Sequence, residues 1–224
     1  MLVGNWMSKE PVTVTPETSM MRASKVMKDK NVRGLSVVDK NGILLGIVTD
    51  RDIKEASPSK ATTLDVHELY YLLSEIKVQD IMSTNLVTIQ EGESVEKAAV
   101  LMLDTKVGGL PVVDDAGKLV GVITQSDVFE VLISITGVLH GGFQVAIDLP
   151  DDQGTLGGLV GLLNKHNARI MSILTAYEPE DAPTRRVFVR IQDMDKALQK
   201  TMMEELKSQY NVLFTLREEI QHSL

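Results

Sequence analysis

The stretch from Val3 to Glu55, VGNWMSKEPVTVTPETSMMRASKVMKDKNVRGLSVVDKNGILLGIVTDRDIKE, returns from Val78 to Glu130 as VQDIMSTNLVTIQEGESVEKAAVLMLDTKVGGLPVVDDAGKLVGVITQSDVFE. The offset is a constant 75 residues without a gap, and roughly two positions in five are identical, the mark of an internal duplication. Each copy ends in a short apolar strand that breaks into a helix, Gly46-Ile-Val-Thr-Asp-Arg-Asp52 in the first and Gly121-Val-Ile-Thr-Gln-Ser-Asp127 in the second.

Inside copy one, Val12-Thr-Val14 is a β-branched run between Pro11 and Pro16, which reads as a brief edge strand. Thr18 or Ser19 caps a helix whose apolar positions Met20, Ala23, Val26 and Met27 recur at helical spacing. In copy two Ser94 takes the cap, and Val95, Ala98, Leu101 and Met102 repeat the stripe. Leu35–Val38 and Ile43–Val48 read as strands joined at Asp39-Lys-Asn-Gly42, where Asn-Gly supplies the positive φ of a tight turn, and Asp114-Asp-Ala-Gly117 is its counterpart. Each copy is thus expected to be a βαββα unit with a three-stranded sheet. A sheet of that size leaves one face bare, and two copies related by a pseudo-twofold axis cover each other.

Between the copies, the apolar positions Leu64, Val66, Leu69, Leu72, Leu73 and Ile76 predict a connecting helix carrying His67, Tyr70 and Tyr71. After copy two, an apolar helix over Val128 to Leu139 runs into Gly141-Gly142, a boundary signal. Beyond it the rhythm changes. Phe143–Asp148 alternates as a strand, Leu156 to Leu163 forms a helical stripe, and Arg169–Tyr177 and Thr184–Ile191 are strands around a Glu178–Pro183 loop. A helix over Asp195–Ser208 and a strand over Val212–Leu216 complete βαββαβ, the ferredoxin-like order. His166-Asn167 reads as the stop of the first of these helices. The expected organisation is residues 3–56, 57–77, 78–136 and 141–224: repeat, linker helix, repeat, and a separate α+β domain.

Composition narrows the function. The 224 residues carry a formal net charge of −8 and only 4% aromatic residues, so the overall field repels a phosphate backbone and base-stacking platforms are scarce. Nucleic acid is not an expected partner. No apolar run is long enough to span a bilayer and no signal-like N-terminus is present, which predicts a soluble cytoplasmic protein. The absence of cysteine removes disulfides and thiolate chemistry. The four histidines, His67, His140, His166 and His222, are scattered without metal-ligand or triad spacing, and Asp50 and Asp52, though a carboxylate pair, have no acid–base partner nearby. Neither metal site nor enzyme is expected.

At the end of each copy, Thr49 and Asp52, or Thr124 and Asp127, read in two ways. The plain reading is a helix cap with a first-turn acid favoured by the helix dipole. The functional reading is a carboxylate that accepts two hydrogen bonds from ribose hydroxyls, beside helix N–H groups that meet phosphate. Copy one adds Arg33 and Arg51 where copy two has Gly108 and Ser126. Guanidinium groups grip phosphate bidentately, so copy one is expected to be the better equipped for a charged nucleotide.

These motifs, with Leu35-Ser-Val-Val-Asp39 and Leu110-Pro-Val-Val-Asp114, resemble the CBS domain, and the tandem arrangement resembles the CBS pair or Bateman module. The resemblance implies an adenosine-containing effector, whether AMP, ADP, ATP or S-adenosylmethionine, with ribose on the Asp and phosphate near the Thr. The loop Leu149-Pro-Asp-Asp-Gln-Gly154-Thr-Leu156 is similar to that of ACT domains, which implies an amino-acid site at Asp152, Gln153 and Gly154, although Gly154 also reads as an ordinary turn. The whole layout looks most like AcuB-type acetoin-utilisation proteins. It implies a cytoplasmic regulator, homodimeric, that needs no cofactor and signals effector occupancy to an unidentified partner protein in acetoin or acetyl metabolism. The alternative is a structural adaptor whose clefts stay empty.

Overall fold

A computed structural model describes residues 1–57, 74–176, 183–218 and 220. Residues 58–73 of the expected linker, with His67, Tyr70 and Tyr71, most of the Glu178–Pro183 loop and His222 lie outside the described residues. The chain divides into two compact units, Met1–Val128 and Phe129–Leu224.

The first unit holds both copies. Copy one runs β1 (Thr13–Val14), α1 (Met20–Lys30), β2 (Gly34–Val38), β3 (Leu44–Thr49) and α2 (Asp50–Ala56), with strand order β1-β2-β3. Copy two runs α3 (Val78–Ile81), α4 (Val95–Thr105), β4 (Gly109–Val113), β5 (Leu119–Thr124) and the start of α5 (Gln125–Thr136), inside which the division between units falls. Ser19 and Ser94 cap α1 and α4 by accepting from the N–H groups of Arg22 and Lys97. In the hairpins Gly42 and Gly117 supply the expected positive φ, 83° and 79°, and the turns are further held by Asp39 and Asp114, whose Oδ1 atoms accept from the N–H groups of Asn41 and Ile43, and of Ala116 and Lys118.

Copy two also corrects the expectation of three strands in each sheet: β4 and β5 form a two-stranded sheet, and the remnant of the first strand is an isolated bridge between Ile89 and Val112. The cause is one residue. In copy one the N–H of Ser36 donates to Val12, opening the β1–β2 ladder. Pro111 stands at the matching position and has no N–H to give.

Two backbone segments are exchanged between the copies. Residues at the start of the chain, up to the first turn of copy one, reach copy two: Leu2 bridges Ser94, Ser8 bridges Val122, and the N–H of Val95 donates to the Met1 carbonyl. Their counterparts around the start of copy two reach copy one: Lys77 bridges Ser19, Ser83 bridges Ile47, and the N–H of Met20 donates to the Ile76 carbonyl. Each contact maps onto its counterpart when 75 is added to one number and taken from the other. Ile43 pairs with Lys118, its own equivalent, so the pseudo-twofold axis passes there. The core of copy one, Val14, Ala23, Met27, Leu35, Val37 and Val48, is completed by Val78 from α3.

The exchanged strands come close enough to require glycine. A Cβ on Gly46 would stand 2.5 Å from Sδ of Met82 and 3.1 Å from the carbonyl oxygen of Ser83; on Gly121 it would meet Met7 Sδ at 2.5 Å and Ser8 O at 2.8 Å.

The second unit begins within α5 and continues β6 (Phe143–Pro150), α6 (Thr155–Lys165), β7 (Ile170–Ala176), β8 (Thr184–Ile191), α7 (Lys196–Gln209) and β9 (Asn211–Leu216). Its four antiparallel strands lie in the order β7-β8-β6-β9, which makes a split βαββαβ arrangement. Alternate residues of β6 and β8, including Val145, Ile147, Val187 and Val189, pack against Leu159, Leu163, Met202 and Leu206 of the two helices. Asn167, left-handed at φ 55°, ends α6 as the sequence suggests. The N–H of His166 returns to Leu162 and Leu163.

Replacing Gly46 or Gly121 by valine is expected to destabilise the first unit by about 1–3 kcal/mol through overpacking. Urea unfolding should show a lowered midpoint for both, whereas Gly92→Ala, whose Cβ meets nothing within 4 Å, should leave the midpoint unchanged.

Candidate functional site

The two strand-to-helix junctions share one geometry. In copy one the Thr49 N–H and hydroxyl both donate to Asp52 Oδ2, each at 2.7 Å, and the Asp52 N–H donates back to Thr49 Oγ1 at 3.3 Å. In copy two the Thr124 N–H and hydroxyl donate to Asp127 Oδ2 at 2.6 and 2.8 Å, and the Asp127 N–H returns to Thr124 Oγ1 at 3.4 Å. This is the reciprocal capping box. The plain reading of these residues is therefore real. It occupies one carboxylate oxygen only: among the described residues every hydrogen bond to Asp52 and Asp127 falls on Oδ2, and Oδ1 remains available to donors from outside.

The strand beside each junction is tied to it. The Asp50 N–H donates to the Arg33 carbonyl at 3.0 Å, and the Gln125 N–H donates to the Gly108 carbonyl at 3.0 Å. The Arg33 backbone is thereby fixed against the first residue of α2, and its charge acts on Asp50. Arg33 and Arg51 are exposed and neither forms an ion pair among the described residues. The structure thus brings the Thr49 and Asp52 side chains together, and likewise Thr124 and Asp127; Arg33 joins the first junction through its carbonyl, and Arg51 follows Asp50 at the start of α2.

Asp50 and Asp52 do not act as a pair. Asp50 accepts from Lys54 at 2.7 Å, one helical turn on, while Asp52 faces Thr49. The hydrogen bond and charge of Lys54, assisted by Arg33, hold the Asp50 carboxyl below its ordinary value of 3.8. Lys54 belongs to the charged surface of this junction and was not singled out from the sequence, though its spacing of four from Asp50 signals it. A shallow, open depression is lined by Asp50, Arg51, Lys54 and Glu55.

In the second unit, Asp152, Gln153 and Gly154 lie on the exposed turn that leads into α6. Gly154 has φ 90°, and a Cβ there would meet nothing within 4 Å. Glycine is needed for the backbone conformation and not for a close approach. Among the described residues no cluster of His, Asp and Glu is arranged to hold a metal ion, and no helix is long and apolar enough to cross a membrane.

The CBS domain family model matches residues 3–59 and 78–134. The chain belongs to the CBS domain family. A CBS domain-containing protein of Dictyostelium discoideum is 40% identical over 134 residues, which is 60% of this chain and 92% of that protein. L-aspartate semialdehyde sulfurtransferase of Methanocaldococcus jannaschii is 33% identical over 127 residues, 57% of this chain but only 22% of the enzyme. Among solved structures, CBSX2, a CBS-pair protein of Arabidopsis thaliana, was determined in complex with AMP; it is 35% identical with a TM-score of 0.50, covering 60% of this chain and 97% of that one. A structure from Vibrio cholerae, provisionally assigned to acetoin utilization (AcuB), is 28% identical with a TM-score of 0.52, covering 62% of this chain and 94% of that one.

The Asp50–Lys54 contact yields a pH test. Because the folded carboxyl of Asp50 lies below the unfolded value, its contribution to stability is present above pH 3.8 and is lost as pH falls through the lower folded value. Carboxyl NMR titration should give Asp50 a pKa below 3.8, and Lys54→Met should return it toward 3.8.

Proposed function

We propose that the CBS pair is a regulatory sensor for an adenosine-containing nucleotide, with ribose hydroxyls on the free oxygen of Asp52 and the phosphate on Arg33 and Arg51. The observation that carries this reading is the half-used carboxylate: Thr49 holds Asp52 through Oδ2 alone, so the side chain is oriented by the fold and still has an acceptor left. The AMP complex of CBSX2 supports it, since that protein shares the family and is 35% identical. Thr124 and Asp127 provide a second copy of the same acceptor.

The reading extends to the rest of the chain. The second unit resembles an ACT domain in its Pro150 to Leu156 loop and its βαββαβ order, and it takes an amino acid at Asp152, Gln153 and Gly154. Occupancy of the clefts is passed to a partner protein, without catalysis by this chain, and the likeness to the Vibrio cholerae protein points to acetoin or acetyl metabolism. A homodimer fits the exposed apolar side chains of α4, Val100 and Leu103, where α1 carries Lys25 and Lys28. Light scattering at micromolar concentration should give twice the chain mass.

Calorimetric titration with AMP tests the central claim. Binding is expected for the unmodified chain, and Asp52→Ala should lose about ten- to a hundredfold in affinity, the effect of about 1–3 kcal/mol for leaving sugar donors unpaired. Arg51→Ala should weaken AMP far more than adenosine. Absence of AMP, ADP, ATP and adenosine binding by the intact chain would leave the adaptor reading in its place.

A further inference from the structure

Arg190, near the end of β8, is 4% exposed and is the one charged residue buried among those described. Its neighbours bury the stem without answering the charge. A Cβ on Gly137 would stand 3.9 Å from Arg190 Cδ, and Ser172, opposite Arg190 on β7, spends its hydroxyl on the Thr136 carbonyl at 2.9 Å. The guanidinium carries five N–H donors. Among the described residues the only acceptor it meets is the Gly141 carbonyl, 3.5 Å from Nη1. Nε is sealed without a partner, Nη2 is neither sealed nor bonded, and no carboxylate of the described residues pairs with the group. A buried charge left unpaired costs stability, so this arginine serves something other than the fold.

The surface around it says what that is. Val189 and Ile191, on either side of Arg190, pack with the helices, so by the alternation of a strand Arg190 belongs to the opposite, helix-free face of the sheet. Across that face it stands in a row with Ser172, Gln144 and Leu216. The Gln144 side chain has no hydrogen-bond partner among the described residues. The next row is apolar: Leu174, Phe188, Ala146 and Phe214, with the two phenyl rings 6.4 Å apart. Phe214 and Leu216 are 44% and 40% exposed. The row beyond holds the acid of this face, Asp148, which is already met by Arg186 at 3.6 Å and Asn211 at 3.5 Å.

We infer that this face binds a small-molecule carboxylate carried on an aromatic or branched apolar body, the carboxylate on Nη2 of Arg190 and the Gln144 amide, the body across Phe188, Phe214 and Leu216. A carboxylate supplies the paired acceptors that a guanidinium fork lacks here, and the adjoining row removes the rest of such a molecule from water. Asp148 is two rows away and engaged, so it does not oppose the anion. The site lies wholly within the second unit. It stands at the start of β6, whereas Asp152, Gln153 and Gly154 follow the end of that strand, and it neither uses nor extends the nucleotide reading.

The experiment titrates the full chain with phenylacetate, acetate and 2-phenylethanol while NMR follows the rings of Phe188 and Phe214 and the guanidinium of Arg190. Phenylacetate is expected to bind saturably and to move all three sets of signals. Acetate, which lacks the ring, and 2-phenylethanol, which lacks the charge, should each bind about ten- to a hundredfold more weakly. Arg190→Met should bring phenylacetate down to the affinity of 2-phenylethanol, and Arg186→Met should leave the difference in place. Urea unfolding of the ligand-free chain, followed on the amide signals of β6 and β8, gives an independent readout. Because its guanidinium is unpaired, Arg190→Met should unfold at the same urea concentration as the unmodified chain or at a higher one. A lowered midpoint would make the guanidinium a structural group and overturn the inference. Equal binding of phenylacetate and 2-phenylethanol to the unmodified chain, retention of the difference in Arg190→Met, or no saturable binding of phenylacetate overturns it as well.

Discussion

The first unit depends on a reciprocal exchange of backbone. Ser8 pairs with Val122 and Ser83 with Ile47, so neither copy's outer strand is left as a bare edge, and neither copy closes its sheet from its own residues. An unpaired strand edge exposes donors and acceptors that invite other chains. Here each edge is covered by the segment that leads into the other copy. The closeness of that cover makes Gly46 and Gly121 obligatory, since a Cβ at either would meet a methionine sulfur and a carbonyl oxygen of the exchanged segment. A single copy would therefore lack both a strand partner and, in copy one, the core side chain of Val78.

The capping boxes follow from that frame. Gly46 and Thr49 are three residues apart on β3, and Gly121 and Thr124 stand likewise on β5, so the strand held by exchange is the strand that presents the threonine. Thr49 and Thr124 then orient a carboxylate through one oxygen. A capping box contributes about 0.5–2 kcal/mol to a helix, and it fixes Asp52 and Asp127 before any ligand arrives. The cap thus engages one oxygen of each carboxylate and leaves the other, so any affinity change measured on replacing Asp52 or Asp127 must be read beside the stability change it brings.

Much of this was legible in the sequence because it is local or repeated. The constant offset exposes the duplication, Ser19 and Ser94 announce their helices, and the alternation in Phe143–Asp148 announces β6. Three features were not legible. The exchange of residues 1–8 and 76–83 joins positions far apart in the chain, as Ser83 with Ile47 and Ser8 with Val122, for which periodicity offers no signal. The loss of the first strand of copy two needed the knowledge that Ser36 donates to Val12, because only then does Pro111 become a missing bond. The hairpins were read through Asn-Gly, whose glycine does supply the positive φ, while the bonds to the carboxylates of Asp39 and Asp114 that also hold the turn went unread. At the junctions, the residue types were readable and the division of work between the two carboxylate oxygens was not.

Where the copies agree and where they differ sorts the residues by what the fold requires of them. Met7 and Met82, Ser8 and Ser83, Ser19 and Ser94, Asp39 and Asp114, Gly42 and Gly117, Gly46 and Gly121, Thr49 and Thr124, Asp52 and Asp127 are identical pairs. Each of them caps a helix, holds a turn, closes a junction or lies in the exchange. Arg33 against Gly108, Arg51 against Ser126 and Lys54 against Phe129 are exposed positions, where a change alters the charge of the junction without touching its backbone. A duplicated frame under this constraint varies its electrostatics far more readily than its shape. Two junctions of one geometry and unequal charge are the natural product.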